Sequence, residues 1–210
     1  MKKKDKLTIA TFIFLIISIL LIVGINFYKN RPLKNIDRKI EYIMGYNSNI
    51  ILDKGENLFK QTIELLTNKD VFEYAKGNDN EIKYYSINKI NNYQKIKNFS
   101  IVKNILSESA IVDYMNSKNI INFENSYYIV LKDEEKINYI GSIINIDSCT
   151  NNTVTFKSIN YYCDNYKYIG LIDEMPNCNY ETKETKFNLI YKDNTFRIAN
   201  IEEFKNIITK

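Results

Sequence analysis

Phe187-Asn188-Leu189-Ile190-Tyr191-Lys192-Asp193-Asn194-Thr195-Phe196-Arg197-Ile198 alternates with a period of two on both sides of a polar pair. Phe187, Leu189 and Tyr191 run up one face of an extended chain. Asp193-Asn194 supply the turn, because Asp and Asn accept the left-handed backbone that a two-residue hairpin loop demands. Phe196 and Ile198 then run back. The stretch predicts a β-hairpin with one buried face.

Upstream, the same period governs everything from about residue 119. Asn125-Ser126 is expected to turn the chain into a strand from Tyr127 to Leu131. Asp133-Glu134-Glu135-Lys136 reads as a solvated loop. Strands over 139–147 and 153–162 follow, joined by Asn151-Asn152. In the second of them Val154, Phe156 and Ser158 alternate with Thr155 and Lys157. Glu202-Glu203-Phe204 closes the domain.

Before residue 119 the period is helical. Residues 50–75 carry the clearest stripe, Leu52, Phe59, Ile63 and Leu66, joined by Leu58 and Leu65. Asp70 and Val71 begin a further turn, and Gly77-Asn78-Asp79-Asn80 is a loop. In 81–93, Tyr84, Ile87 and Ile90 fit a helix without deciding it. Two short helices are expected over 100–116, the first capped by Ser100 and the second by Ser107. Helices first and antiparallel strands after give an α+β domain, with helices packed on one face of a twisted antiparallel sheet over residues 50–205.

An N-terminal transmembrane helix is expected ahead of that domain. From Leu7 to Tyr28 no residue is charged. Twenty-two helical residues span roughly 33 Å, enough for a ~30 Å hydrocarbon core. The run exceeds the ~7–15 apolar residues of a cleaved signal peptide, and it lacks a small-x-small site, since Ile22 stands two positions before Gly24. Residues 1–6 then form a cytoplasmic tail, 7–28 the span and 29–49 a juxtamembrane stalk, in which Leu33, Ile36, Ile40 and Ile43 follow Pro32 at helical spacing. The basic tail before the span places the domain on the extracytoplasmic side of the cell membrane.

Charge says little about the domain itself. The net charge of +4 lies wholly in residues 1–29, where five lysines face Asp5, and the rest of the chain is balanced. No nucleic-acid-binding face follows from that. The abundant Lys, Asn, Ile and Tyr are residues of A/T-rich codons.

Several chemistries are excluded. The chain has no histidine, which removes Ser-His-Asp and Cys-His catalysis, histidine zinc sites and HExxH metalloproteases. None of its six glycines falls in a P-loop or a GxGxxG pattern, so no nucleotide site of either kind is expected, and no cofactor is. The acid pairs Asp133-Glu134-Glu135, Asp173-Glu174 and Glu202-Glu203 are sequence neighbours at loops and ends. General acid–base work needs carboxylates that converge from different environments. No catalytic or metal-binding residue is assigned, and the chain is not expected to be an enzyme.

Cys149, Cys163 and Cys178 lie in the strand half without a CxxC pair. Cys163 and Cys178 are the candidate disulfide, closing Asp164 to Asn177; three reduced thiols are the other reading. The tyrosines Tyr84-Tyr85, Tyr127-Tyr128, Tyr161-Tyr162, Tyr166 and Tyr168 either pack on the sheet or offer an interface, for which tyrosine is suited.

Residues 93–129 have a recognisable order. Tyr93-Gln94-Lys95-Ile96-Lys97-Asn98-Phe99 leads to Ile105-Leu106-Ser107, the Ala110-Ile111 helix and Tyr114-Met115. Lys118-Asn119-Ile120-Ile121 and Tyr127-Tyr128-Ile129 follow, and the chain closes on the hairpin with its Phe196-Arg197-Ile198 triplet. Over about residues 50–204 this pattern resembles small extracytoplasmic domains of Gram-positive bacteria with NTF2-like or cystatin-like folds. It is also similar to the family of secreted inhibitors of cell-wall DL-endopeptidases, from which this chain departs in keeping an anchor. The resemblance implies a non-enzymatic binding module whose partner is a protein or a cell-wall component, with no inhibitory residue to carry over. A structural subunit of a transport or secretion assembly, and an NTF2-like enzyme, are the other functions compatible with it.

Overall fold

The computed structural model describes residues 14–23, 35–76, 93–131, 137–164 and 178–209, the side chains of 69 and 76 excepted. It divides into two units, residues 1–39 and 40–210.

Of the expected span over 7–28, only residues 14–23 are among those described. They are helical (α1), with Phe14 and Leu20 at 73% and 64% exposure. No helix among the described residues is long and apolar enough to cross a membrane. The rest of the expected span, its basic tail and stalk residues 29–34 lie outside the described residues.

Helix α2 covers Ile36–Met44 and buries Ile40 and Met44. Gly45 ends it at φ +69°, a left-handed position with its N–H on the Glu41 carbonyl, as glycine commonly does after a helix. Asn47 opens α3, Ser48–Thr67, by accepting the Asn49 N–H on its side chain. Helix α3 buries Ile51, Gly55, Phe59, Thr62, Ile63, Leu65 and Leu66. The buried stripe thus passes through Ile51 and Gly55, with Leu52 only half-buried at its margin. The helix ends at Thr67, well short of the expected 75. The Asn68 side chain takes the Asp70 N–H and starts a 3-10 turn over Lys69–Val71.

Two four-stranded antiparallel sheets follow, where one was expected. The first has the order β1-β2-β4-β3, from Tyr74–Lys76, Tyr93–Ile96, Ser126–Val130 and Ile120–Phe123. Two of its strands come from segments without alternation, and β2 lies beside β4, across two intervening helices. The second sheet is a meander, β5 to β8, over Tyr139–Cys149, Thr153–Tyr162, Glu181–Lys192 and Thr195–Ile198. Its β5–β6 pairing slips register at Tyr139/Gly141 and at Ile146/Ser148.

Two of the tight hairpins turn on left-handed Asn and acidic residues. Asp193 and Asn194 have φ of 52° and 59°, and Lys192 pairs with Thr195 across them. The β3–β4 turn is Glu124-Asn125, one residue earlier than expected, and Ser126 is already paired with Phe123.

Two short helices precede β3. In α4, Ser100–Ile105, Ser100 is inside the helix and does not cap it. The helix has no side-chain cap; the Asn98 side chain accepts the Ser100 N–H just ahead of it. Ser107 does cap α5, Glu108–Lys118, by accepting the Ala110 N–H, and its hydroxyl donates to the Ala199 carbonyl. The last helix, α6, is Glu202–Ile208.

The core lies where α3 and α6 meet β6 and β7. Phe59, Phe156, Phe187 and Phe204 form one cluster with ring centroids 5.1–5.2 Å apart. Every second residue of β6, from Val154 to Tyr162, is buried. Three of these are not purely apolar. Asn160 takes the Ser142 hydroxyl proton at 2.6 Å and donates to Thr185, whose hydroxyl also bonds Ser158. The Tyr114 hydroxyl ties α5 to α3 by donating to the Leu65 carbonyl at 3.1 Å.

Candidate functional site

Among the described residues, those singled out in the sequence do not gather at one site. Cys163 follows β6 and Cys178 precedes β7. They are set as a disulfide pair with Cα atoms 6.6 Å apart, within the usual range for a bridge. Cys149 is buried at the end of β5, outside that pair. Asp133-Glu134-Glu135 and Asp173-Glu174 lie outside the described residues. Glu202 reaches Lys205 at 3.4 Å on the surface, while Glu203 turns one carboxylate oxygen inward. Among the described residues no group of three His, Cys, Asp or Glu could hold a metal ion.

The tyrosines divide. Tyr128 and Tyr162 are buried, and Tyr127 stacks on Phe99 at 3.8 Å. Tyr161 meets Tyr180 edge-on at 5.4 Å. Tyr84-Tyr85, Tyr166 and Tyr168 lie outside the described residues.

A cleft of about 300 Å³ is formed instead by residues to which the sequence assigned no binding role. Three local events build it. Gly45 stops α2 and Asn47 starts α3, so Tyr46 is held between them against the β7–β8 hairpin. Its ring meets Tyr191 at 5.9 Å and Phe196 at 5.7 Å, both edge-on. Helix α3 then presents Lys54, Asn57 and Leu58 along the same wall. The hairpin turn contributes Asn194 through Arg197, and α4 contributes Asn104.

The side chains are ordered by one another. Tyr191 donates to Asn194 Oδ1 at 3.3 Å. The hydrogen bond between Tyr191 and Tyr46 raises the Tyr191 phenol above its ordinary value, with burial adding to it. Lys54 Nζ stands 5.8 Å from the Phe196 ring centroid, a cation–π distance. Arg197 Nε donates to the Lys103 carbonyl at 2.9 Å, which fixes the guanidinium at the cleft edge.

Among the described residues no acid lines this cleft, and they bring two cations and three carboxamides to it. It can bind by hydrogen bonds and charge. It has neither a thiol nor a carboxylate with which to attack or to move a proton at neutral pH. Its residues are scattered from 46 to 197, and the only local signals are the Gly45 stop and the polar turn at Asp193-Asn194.

Fold and cleft together define an α+β protein with an open depression of mixed polar and aromatic lining beside its C-terminal hairpin. No protein-family model matches the chain, and no curated protein matches it.

Proposed function

We propose that this chain is a membrane-anchored, non-enzymatic binding module on the extracytoplasmic side of the cell membrane. It engages a protein or cell-wall partner, and inhibition of a cell-wall hydrolase is the specific form this takes. One observation carries the anchor. The helical residues 14–23 hold ten uncharged side chains, nearly all of them exposed. Exposed apolar surface costs about 25 cal/mol per Å² in water, and lipid removes that cost. The Cys163–Cys178 pair suits an oxidising compartment. A cleft with binding groups and no catalytic set suits a binding role.

The test has two stages. Whole cells are treated with an extracellular protease and then fractionated. The proposal expects the chain to resist an alkaline carbonate wash and residues 40–210 to be digested. Release by the wash, or protection of 40–210 in intact cells, overturns the placement. Full-length chain in detergent is then titrated into peptidoglycan hydrolysis by the host's DL-endopeptidases. Saturable inhibition near one chain per enzyme is expected; undiminished hydrolysis with folded protein removes the inhibitor role.

A further inference from the structure

We infer that the cleft between α3 and the β7–β8 hairpin binds an anionic carbohydrate, a sugar or polyol carrying a carboxylate or phosphate. This rests on reading the chain as a binding module, and not on its being anchored.

The lining side chains leave much of their charge and hydrogen-bonding capacity unspent. Lys54 has no ion-pair partner among the described residues; its ammonium faces the Phe196 ring. Arg197 spends Nε on the Lys103 carbonyl, and its terminal N–H groups have no partner among the described residues. The Asn57 and Asn104 side chains make no hydrogen bond to any described residue, and Asn194 spends only its oxygen, on Tyr191. A carboxamide carries a donor and an acceptor on neighbouring atoms, the match for two adjacent hydroxyls. A guanidinium and an ammonium at the same rim match an anion, the first by a planar fork and the second as a point charge.

Other ligands fit less well. An apolar molecule would leave Lys54, Arg197 and the three carboxamides of the lining unmatched. Nucleic acid needs an extended basic surface, and the chain beyond residue 29 has balanced charge. A lone peptide carboxylate would use the cations and leave three carboxamides idle. The volume of about 300 Å³ is at the lower end of the ~300–1,000 Å³ typical of small-ligand sites, so a terminal sugar unit fits better than a long stretch of polymer.

The test uses full-length chain in a zwitterionic detergent without a sugar headgroup, observed by saturation-transfer NMR on three probes. These are a glucuronate-containing oligosaccharide, glycerol 3-phosphate and neutral chitotetraose. Transfer is expected to at least one of the two anionic probes, and which one responds tells carboxylate from phosphate. Raising salt to about 0.5 M, where screening acts within a few Å, should weaken it about fivefold or more. Lys54→Gln and Asn57→Ala should each weaken it by a similar factor with circular dichroism unchanged, while Lys60→Gln, on the exposed side of α3, should not. No transfer to either anionic probe from folded protein overturns the inference, as does equal transfer to the neutral sugar or indifference to Lys54→Gln. If hydrolase inhibition survives such a failure, the binding-module reading stands and its surface lies elsewhere. If the sugar binds but whole-cell protease spares the chain, the cleft stands and the extracytoplasmic placement falls.

Discussion

The Phe156 ring occupies the place where a side chain at position 55 would begin: a Cβ built on Gly55 would lie 2.5 Å from both Cε1 and Cζ of that ring. Helix α3 can therefore sit directly on β6 only because residue 55 is glycine. Phe156 is fully buried and shares the four-phenylalanine cluster, so it has little room to yield. Gly55→Ala should gain ~1 kcal/mol in helix propensity and lose about 1–3 kcal/mol to overpacking. A net loss is expected, at roughly 2–4 °C of melting temperature per kcal/mol. Phe156→Leu in the Gly55→Ala background should recover part of it. Additive losses in that double-mutant cycle would show that the two positions are not in contact.

Alkaline unfolding should report on Tyr162. Its hydroxyl donates to the Ile207 carbonyl at 2.7 Å, and burial pushes the phenol up to about 12. The unfolded value is ~10. The folded state thus holds the proton where the unfolded state releases it. The stabilisation is complete below pH ~10 and is lost as pH rises through about 12. The urea midpoint should be flat to about pH 9.5 and fall from there upward. Tyr162→Phe should lower stability at pH 8 by about 1 kcal/mol, for the lost hydrogen bond, and flatten the alkaline slope. Some slope should remain, because burial also raises the Tyr114 phenol. A slope unchanged in Tyr162→Phe would remove Tyr162 from the account.

Cys163 and Cys178, 15 residues apart, close the connection between β6 and β7. In the chain-entropy model a loop of that size is worth ~3 kcal/mol. Replacing both with Ala should lower the unfolding free energy by about that amount, and reductant should do the same to the parent chain and nothing to the variant. Mass spectrometry of protein taken from cells should find Cys149 as the alkylated thiol. Cys163 and Cys178 both alkylated without reduction would remove the bridge.

The sequence announced those parts of the fold whose signals are local. Phe187 to Ile198 alternates on both sides of a turn that only left-handed backbone can make, so the hairpin was readable from twelve residues. Ser107 was readable as a cap because a hydroxyl at that place meets an orphan N–H whatever surrounds it. Ser100 was not, because Asn98 takes both the N–H and the hydroxyl of Ser100, which stands inside the helix. The first sheet was hidden for a different reason. Tyr74–Lys76 and Tyr93–Ile96 are too short to show a period, and their pairing with each other and with β4 is a matter of tertiary distance. A stripe of apolar residues on α3 passes through Leu52 because glycine does not register as an apolar face residue, yet Gly55 lies among the buried positions. The cleft was invisible for the same reason as the first sheet. Lys54, Asn57, Asn104 and Arg197 look like ordinary surface residues until α3 and the hairpin bring them to one rim.

The register slips in β5 have a consequence for how copies of this chain meet. The second sheet has two borders. One is β8, four residues long and already engaged from outside where Leu106 bridges Ile198 and the Ser107 N–H bonds the Ile198 carbonyl. The other is β5, eleven residues long and interrupted at Tyr139/Gly141 and Ile146/Ser148. A straight border of that length would invite a neighbouring backbone to add as a fifth strand of this sheet, and repetition of that step makes fibrils. Bulged residues break the row of groups such a strand would need and turn it aside. At this border contact between crowded copies is left to side chains, which can be selective, and not to an indiscriminate zipper of main-chain atoms.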